Sequence, residues 1–82
     1  MKLQISKHEW KYEFARRLKG RMDELGLTGA ELAERSGISQ GHISGMLNGK
    51  FSPQGYTIYR IAEGLSVEPS YLVDLQKLER LL

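Results

Sequence analysis

With 82 residues the chain has room for one domain, and a domain this small buries only about 60% of the surface its unfolded chain exposes. It holds no cysteine, which excludes a disulfide framework and a thiolate metal site, no apolar run approaches the ~18 to 20 residues that span a bilayer, and the start, MKLQISKHEWKYEF, lacks a signal peptide's apolar segment. The net charge is only +2, yet residues 1 to 21 hold seven Lys or Arg against two Glu, residues 22 to 82 hold five against eight acids, and no acid occurs from Arg35 to Ala62. That window carries Arg35, Lys50 and Arg60, so a polyanion approaching there meets no repulsion. The expectation is a soluble cytoplasmic protein with no membrane segment.

Residues 1 to 8 show no periodicity and read as a flexible arm, leaving 9 to 82 as a single domain. A first helix is predicted from Glu9 to Glu24, with Phe14, Leu18, Met22 and Leu25 on one face. Gly26 stops it. Thr28 then reads as an N-cap, with Glu31 three residues on completing a capping box, for a second helix through Arg35 whose inward residues are Ala30, Leu32 and Ala33. Gly37 ends that helix and Ser39 caps a third, so the two are joined tightly enough to cross steeply. The third runs from Gln40 to Leu47, followed by Asn48 and Gly49, both of which accept the positive φ of a C-terminal cap. After the loop KFSP a fourth helix is predicted from Gln54 to Gly64, with Ile58, Ile61, Ala62 and Leu65 inward. Pro69 opens a fifth, which continues to the C-terminus. Five short helices without a convincing strand or repeat define an all-α fold.

Residues 36 to 50, SGISQGHISGMLNGK, carry a glycine at every fourth position. Gly37 and Gly49 punctuate helix ends. At about 100° per residue Ile43, Met46 and Leu47 point to the core, which puts Gly41 and Gly45 nearly opposite, on the outward face. Each interior glycine costs roughly 0.5 to 1 kcal/mol relative to alanine. A side-chain-free outward face therefore suggests a bulky partner that approaches the backbone closely, and a DNA major groove, which admits one α-helix and little more, is such a partner. The alternative is that tertiary packing simply holds a glycine-weakened helix. The GxxxG spelling of Gly41 and Gly45 is not set in an apolar 20-mer and carries no membrane reading.

The chain resembles the lambda-repressor-like helix-turn-helix proteins of phages and bacteria over Phe14 to Leu72. ELGLTGAELAERSGIS is similar to that family's second helix and turn, ISQGHISGMLNGK to its recognition helix, and YRIAEGLSVEPSYL to its fourth helix and the start of its fifth. The resemblance implies a compact five-helix DNA-binding domain whose helices 2 and 3 form the helix-turn-helix. It places Gln40 at the first base-reading position, where an amide bonds the N6 and N7 edge of adenine, and Gly41, His42, Ser44 and Gly45 on the rest of the groove-facing surface. It assigns phosphate contacts to Thr28, Gly29, Ser39, Asn48, Lys50 with the nearby backbone N–H groups, Gln54 and Tyr56. Two positions depart from the pattern. Gly29 stands where relatives often carry a glutamine that braces the first reader, and Met22 and Leu47 stand where some pair an arginine with a glutamate.

Chemistry of other kinds finds little support. His42 and His8 lack cysteine or carboxylate neighbours at ligand spacing, so no metal or cofactor is expected, and no nucleophile and base cluster suggests an enzyme or a small-molecule substrate. Lys11, Arg16, Arg17, Lys19 and Arg21 read chiefly as a solvated helix face, with phosphate contacts from its ends as the alternative. In YLVDLQKLERLL, Tyr71, Leu75, Leu78 and Leu82 are spaced four, three and four, a seam suited to a homodimer or to folding back on the first helix, while Leu72 serves the core. The expected function is sequence-specific binding of double-stranded DNA by a dimeric transcriptional repressor. The alternative is an antitoxin-like or adaptor module that uses the same fold to meet a protein.

Overall fold

A computed structural model describes residues 7–72, and among them the chain folds as five helices: α1 (Lys7–Leu25), α2 (Gly29–Ser36), α3 (Gln40–Leu47), α4 (Gly55–Gly64) and α5 (Pro69–Leu72). This is the all-α arrangement expected from the sequence. Of the predicted arm over residues 1–8, residues 1–6 lie outside the described residues, and Lys7 and His8 belong to α1, which begins two residues earlier than its periodicity indicates. Helix α2 packs on α4 and α3, α1 on α3 and α5, and α4 on α5.

One apolar cluster joins all five helices. Phe14, Leu18 and Met22 of α1, Leu32 of α2, Ile43 and Met46 of α3, Ile61 and Ala62 of α4, Leu65, and Leu72 of α5 are buried in it, with Ala33, Ile38, Leu47 and Ile58 packed at its edge. Met22 and Leu47 belong to the same cluster, so apolar burial stands where some relatives carry an ion pair, an exchange that need not lose stability. Two inward assignments fail. Leu25 is 38% exposed because the helix ends beside it, and Ala30 is exposed because it lies in the first turn of α2, ahead of the core contact at Leu32.

The α2–α3 turn is fixed by three local devices. Gly37 sits at φ 76° with its N–H donating to Ala33 O at 2.9 Å, a conformation that disfavours any residue with a Cβ. The buried Ser36 hydroxyl accepts from Ile38 N–H at 3.1 Å, and the Ser39 hydroxyl accepts from His42 N–H at 3.1 Å as the N-cap of α3. Arg60 of α4 braces the turn from below, its Nε donating to Ser36 O at 2.8 Å and placing a cation at the C-terminal end of α2. Arg60 is thereby committed to the α2–α4 junction and to Glu63, 3.5 Å away, and is withdrawn from the acid-free surface suggested by the sequence.

At the other end of α3, Lys50 N–H donates to Gly45 O at 2.9 Å and Gly49 N–H to Met46 O at 3.1 Å, the paired bonds of a Schellman cap. Only Gly49 takes positive φ (67°), whereas Asn48 stays at −91°, because the motif needs a single left-handed residue. Helix α4 ends in the same paired bonds with Ser66 at φ 58° in the left-handed position, the one non-glycine with positive φ among the described residues.

Candidate nucleic-acid interface

The N-terminal end of α2 carries the predicted capping box. Glu31 N–H donates to the Thr28 hydroxyl at 3.1 Å, and Thr28 N–H donates to the Glu31 carboxylate at 2.9 Å. The second of these bonds, then the contact with the Thr28 side chain, holds the Glu31 carboxyl below its ordinary value of 4.5. The cap changes what Thr28 can offer an anion. Its N–H already serves a carboxylate whose charge sits at the helix end, which leaves the Gly29 and Ala30 N–H groups as the remaining donors of that turn.

Beside it stands the first predicted reader. Gln40 is exposed at the N-terminal end of α3, and a Cβ placed on Gly29 would lie 3.7 Å from Gln40 Cγ and 3.9 Å from its Nε2. The two positions are thus neighbours, as a braced pair requires, but glycine supplies no amide to brace with. The Gln40 amide lies beside the bare Gly29 backbone with no side-chain brace from that position.

The rest of the α3 surface divides. Gly41, His42 and Ser44 are exposed, and a Cβ on Gly41 would meet nothing within 4 Å, so the bare surface expected at this position is present. Gly45 is different: it is buried, although the helical angle puts it opposite the core. A Cβ there would come within 2.6 Å of Cε1 and Cζ of Phe51, whose ring lies over the glycine with its centroid 4.7 Å from that of His42 at an interplanar angle of 50°. Gly45 is therefore not an open groove-facing position. Its missing side chain seats an aromatic ring of the same chain, and Phe51 itself stays 36% exposed. Phe51 escaped the sequence reading because a loop residue has no periodicity to aim it.

A second missed feature flanks the ring. Lys11 of α1, Lys50, Phe51, Ser52, Pro53 and Gln54 line an open, polar cleft of about 390 Å³, and the Ser52 hydroxyl is buried there without a hydrogen-bond partner among the described residues. This cleft brings Lys50 and Gln54 together with a lysine from the far end of the sequence. Four further cations of α1 are tied along the helix: Arg16 and Arg17 to Glu13 at 2.6 and 3.0 Å, Lys19 to Asp23 at 3.6 Å and Arg21 to Glu24 at 3.3 Å. The Schellman cap takes the Gly49 and Lys50 N–H groups, so these two of the backbone donors expected near Lys50 are already engaged within the chain. Asn48 is exposed at the cap, Ser39 at the opposite end of α3, and Tyr56 is 71% exposed on the first turn of α4, clear of the cleft lining.

Tyr71 of the expected dimer seam is engaged within the chain. Its hydroxyl donates to Glu24 at 2.9 Å, which raises the phenol above its ordinary value of 10.0, its carbonyl accepts from Arg17 at 3.1 Å, and its ring lies 5.9 Å from the Arg21 guanidinium. Leu75, Leu78 and Leu82 lie outside the described residues. Among those residues no group of three or more His, Cys, Asp or Glu is placed to hold a metal, and no helix is long and apolar enough to cross a membrane.

A family model described as Helix-turn-helix matches residues 18–72. An uncharacterized HTH-type transcriptional regulator from Methanothermobacter thermautotrophicus is 39% identical over 54 residues, covering 62% of this chain and 78% of that protein. Among solved structures, the restriction-modification controller protein C.AhdI from Aeromonas hydrophila aligns with a TM-score of 0.73 at 27% identity, over 76% of this chain and 94% of that one. An HTH_3 family transcriptional regulator from Vibrio cholerae aligns at 0.81 with 26% identity, over 85% of this chain and 39% of that longer one.

Proposed function

This chain belongs to the helix-turn-helix family of DNA-binding transcriptional regulators, and from that premise we propose that it binds double-stranded DNA sequence-specifically, as a dimeric cytoplasmic repressor with α3 in the major groove. The observation that carries the reading is the exposed, uncharged surface of α3, with Gln40 at its leading end and the backbone bare at Gly41. A groove that admits one helix and little more suits a face kept bare at Gly41, and the Gln40 amide has the donor and acceptor to pair with one adenine edge. Ser44 and His42 supply the other polar groups. Lys50, Lys11, Gln54 and Asn48 hold the phosphate backbone beside the groove, with the Gly29 amide at the α2 end and the Ser39 hydroxyl on the opposite flank. Dimerisation through the last helix would align two such faces on half-sites about one helical turn apart. The relative named as a restriction-modification controller is consistent with a regulatory role rather than an enzymatic one.

Selection of bound duplexes from a random library tests the whole reading, because a specific reader enriches one sequence. On that sequence Gln40→Ala should cost about 1 to 3 kcal/mol, with little loss on random DNA. Equal losses on both would remove Gln40 as a base reader. Log affinity should fall with log salt at a slope near 0.9 per phosphate neutralised, and Lys11→Ala or Lys50→Ala should each lower that slope by about one. Sedimentation as a monomer at high micromolar concentration, free and on DNA, would contradict the dimer.

The protein-binding alternative has one observation in its favour: Tyr56 and Tyr59, 71% and 55% exposed, stand about one turn apart on α4. Exposed tyrosines suit protein contacts as well as a phosphate contact from Tyr56. A protein partner bound there in place of DNA would show weak salt dependence and indifference to Gln40→Ala.

A further inference from the structure

Resting on the docking of α3 proposed above, we infer that Phe51 is a base-contacting residue that recognises the C5 methyl of thymine. The ring does not belong to the core. It comes from the loop after α3, lies across the Gly45 backbone where a Cβ would come within 2.6 Å of two ring carbons, and leans on the His42 ring at 4.7 Å. Those contacts leave 36% of the residue open to solvent. They also place the ring on the α3 surface that carries His42 and Gly45. His42 and Gly45 form one flank of the outward α3 surface, and Gln40 and Ser44 form the other, so a groove that receives this surface meets Gln40 along one flank and the ring along the other.

Once there, the ring has a narrow choice of partner. Base edges in the major groove present hydrogen-bond donors and acceptors throughout, and the one apolar group among them is the thymine methyl. An exposed phenyl edge set against a donor or acceptor desolvates it without compensation, whereas against the methyl it buries apolar surface on both sides. The surface thus splits into an amide reader at Gln40 and an apolar reader at Phe51, with Gly41 bare between them. Gly45 acts as the seat that brings the ring to the helix.

The experiment replaces each thymine of the selected duplex, one at a time, with deoxyuridine, which deletes the methyl and keeps every hydrogen-bonding group. With the wild-type chain, one thymine position should weaken binding about fourfold on replacement, the worth of one buried carbon group, and Phe51→Ala should be indifferent to replacement there. Gly45→Ala keeps the phenylalanine but unseats its ring, and it should lose the same sensitivity while both variants retain the helical circular dichroism of the wild type and their dependence on Gln40. Superimposable deoxyuridine scans for wild type and Phe51→Ala, or no methyl-sensitive thymine in the wild type, overturn the inference and leave the docking of α3 standing. A library that enriches no sequence overturns both.

Discussion

Gly64 and Gly45 both remove a side chain so that another part of the protein can come close, but what comes close is different. At Gly64, on the α2–α4 junction, an added Cβ would lie 3.1 Å from Leu32 Cδ1, 3.2 Å from Ser36 Cβ and 3.3 Å from the Ser36 backbone nitrogen. The neighbours are buried and helical, and they cannot withdraw without moving α2. At Gly45 the neighbour is the end of an exposed side chain on a loop, and it can swing clear. The first glycine sets the spacing of two helices. The second sets the position of one ring, so its effect belongs to the surface rather than to stability.

That contrast is open to direct measurement. Gly64→Val forces two branches into the α2–α4 contact and should destabilise the domain by about 1 to 3 kcal/mol in denaturant unfolding. A neutral result would mean that the helices slide apart easily, and the two glycines would then be alike. Gly41→Ala, with nothing within 4 Å of the new carbon, should instead stabilise by roughly 0.5 to 1 kcal/mol, the ordinary helix preference. Gly45→Ala should fall near zero, within about 0.5 kcal/mol, because the same helix preference is offset by the lost seat of the ring. A loss as large as that of Gly64→Val would show that Phe51 belongs to the core after all.

A small, pH-dependent effect separates the α2 cap from both glycines. The carboxyl of Glu31 has its folded value lowered, so the stability it contributes is present above its ordinary value and is lost as pH falls through the folded one. Glu31→Gln should therefore weaken the domain slightly at neutral pH, and its unfolding curve should converge with that of the wild type as pH falls below 4.5. Parallel curves through the acid range would remove the carboxylate from the cap.

Much of the frame was legible because it is local. The Thr28–Glu31 box, the Ser39 cap, the Gly37 stop and the limits of α3 at Gln40 and Leu47 each depend on residues within a turn of one another, and spacing alone locates them. The core followed from periodicity at Phe14, Leu18, Met22, Ile43, Ile61 and Leu65. The candidate site was half legible. Helical angles place Gly45 opposite the core, but the angle cannot say whether that direction is solvent or a loop side chain that has folded onto it. Lys11 shares the cleft with Lys50 through tertiary packing of α1, across a sequence separation no motif spans. Likewise, the Gly49 and Lys50 N–H groups look available in a sequence and are used by the cap in the fold.

Helix α3, QGHISGML, contains no lysine, arginine or acid, while the cations of the proposed surface stand outside it on α1 and the following loop. Attraction and choice are thereby carried by different pieces of chain. Exchanging Gln40, Gly41 or Ser44 would redirect which sequence is preferred without altering how strongly the protein is drawn to DNA in general. A lineage, or an engineer, could retarget such a domain one position at a time, starting each step from a protein that already finds and holds the duplex.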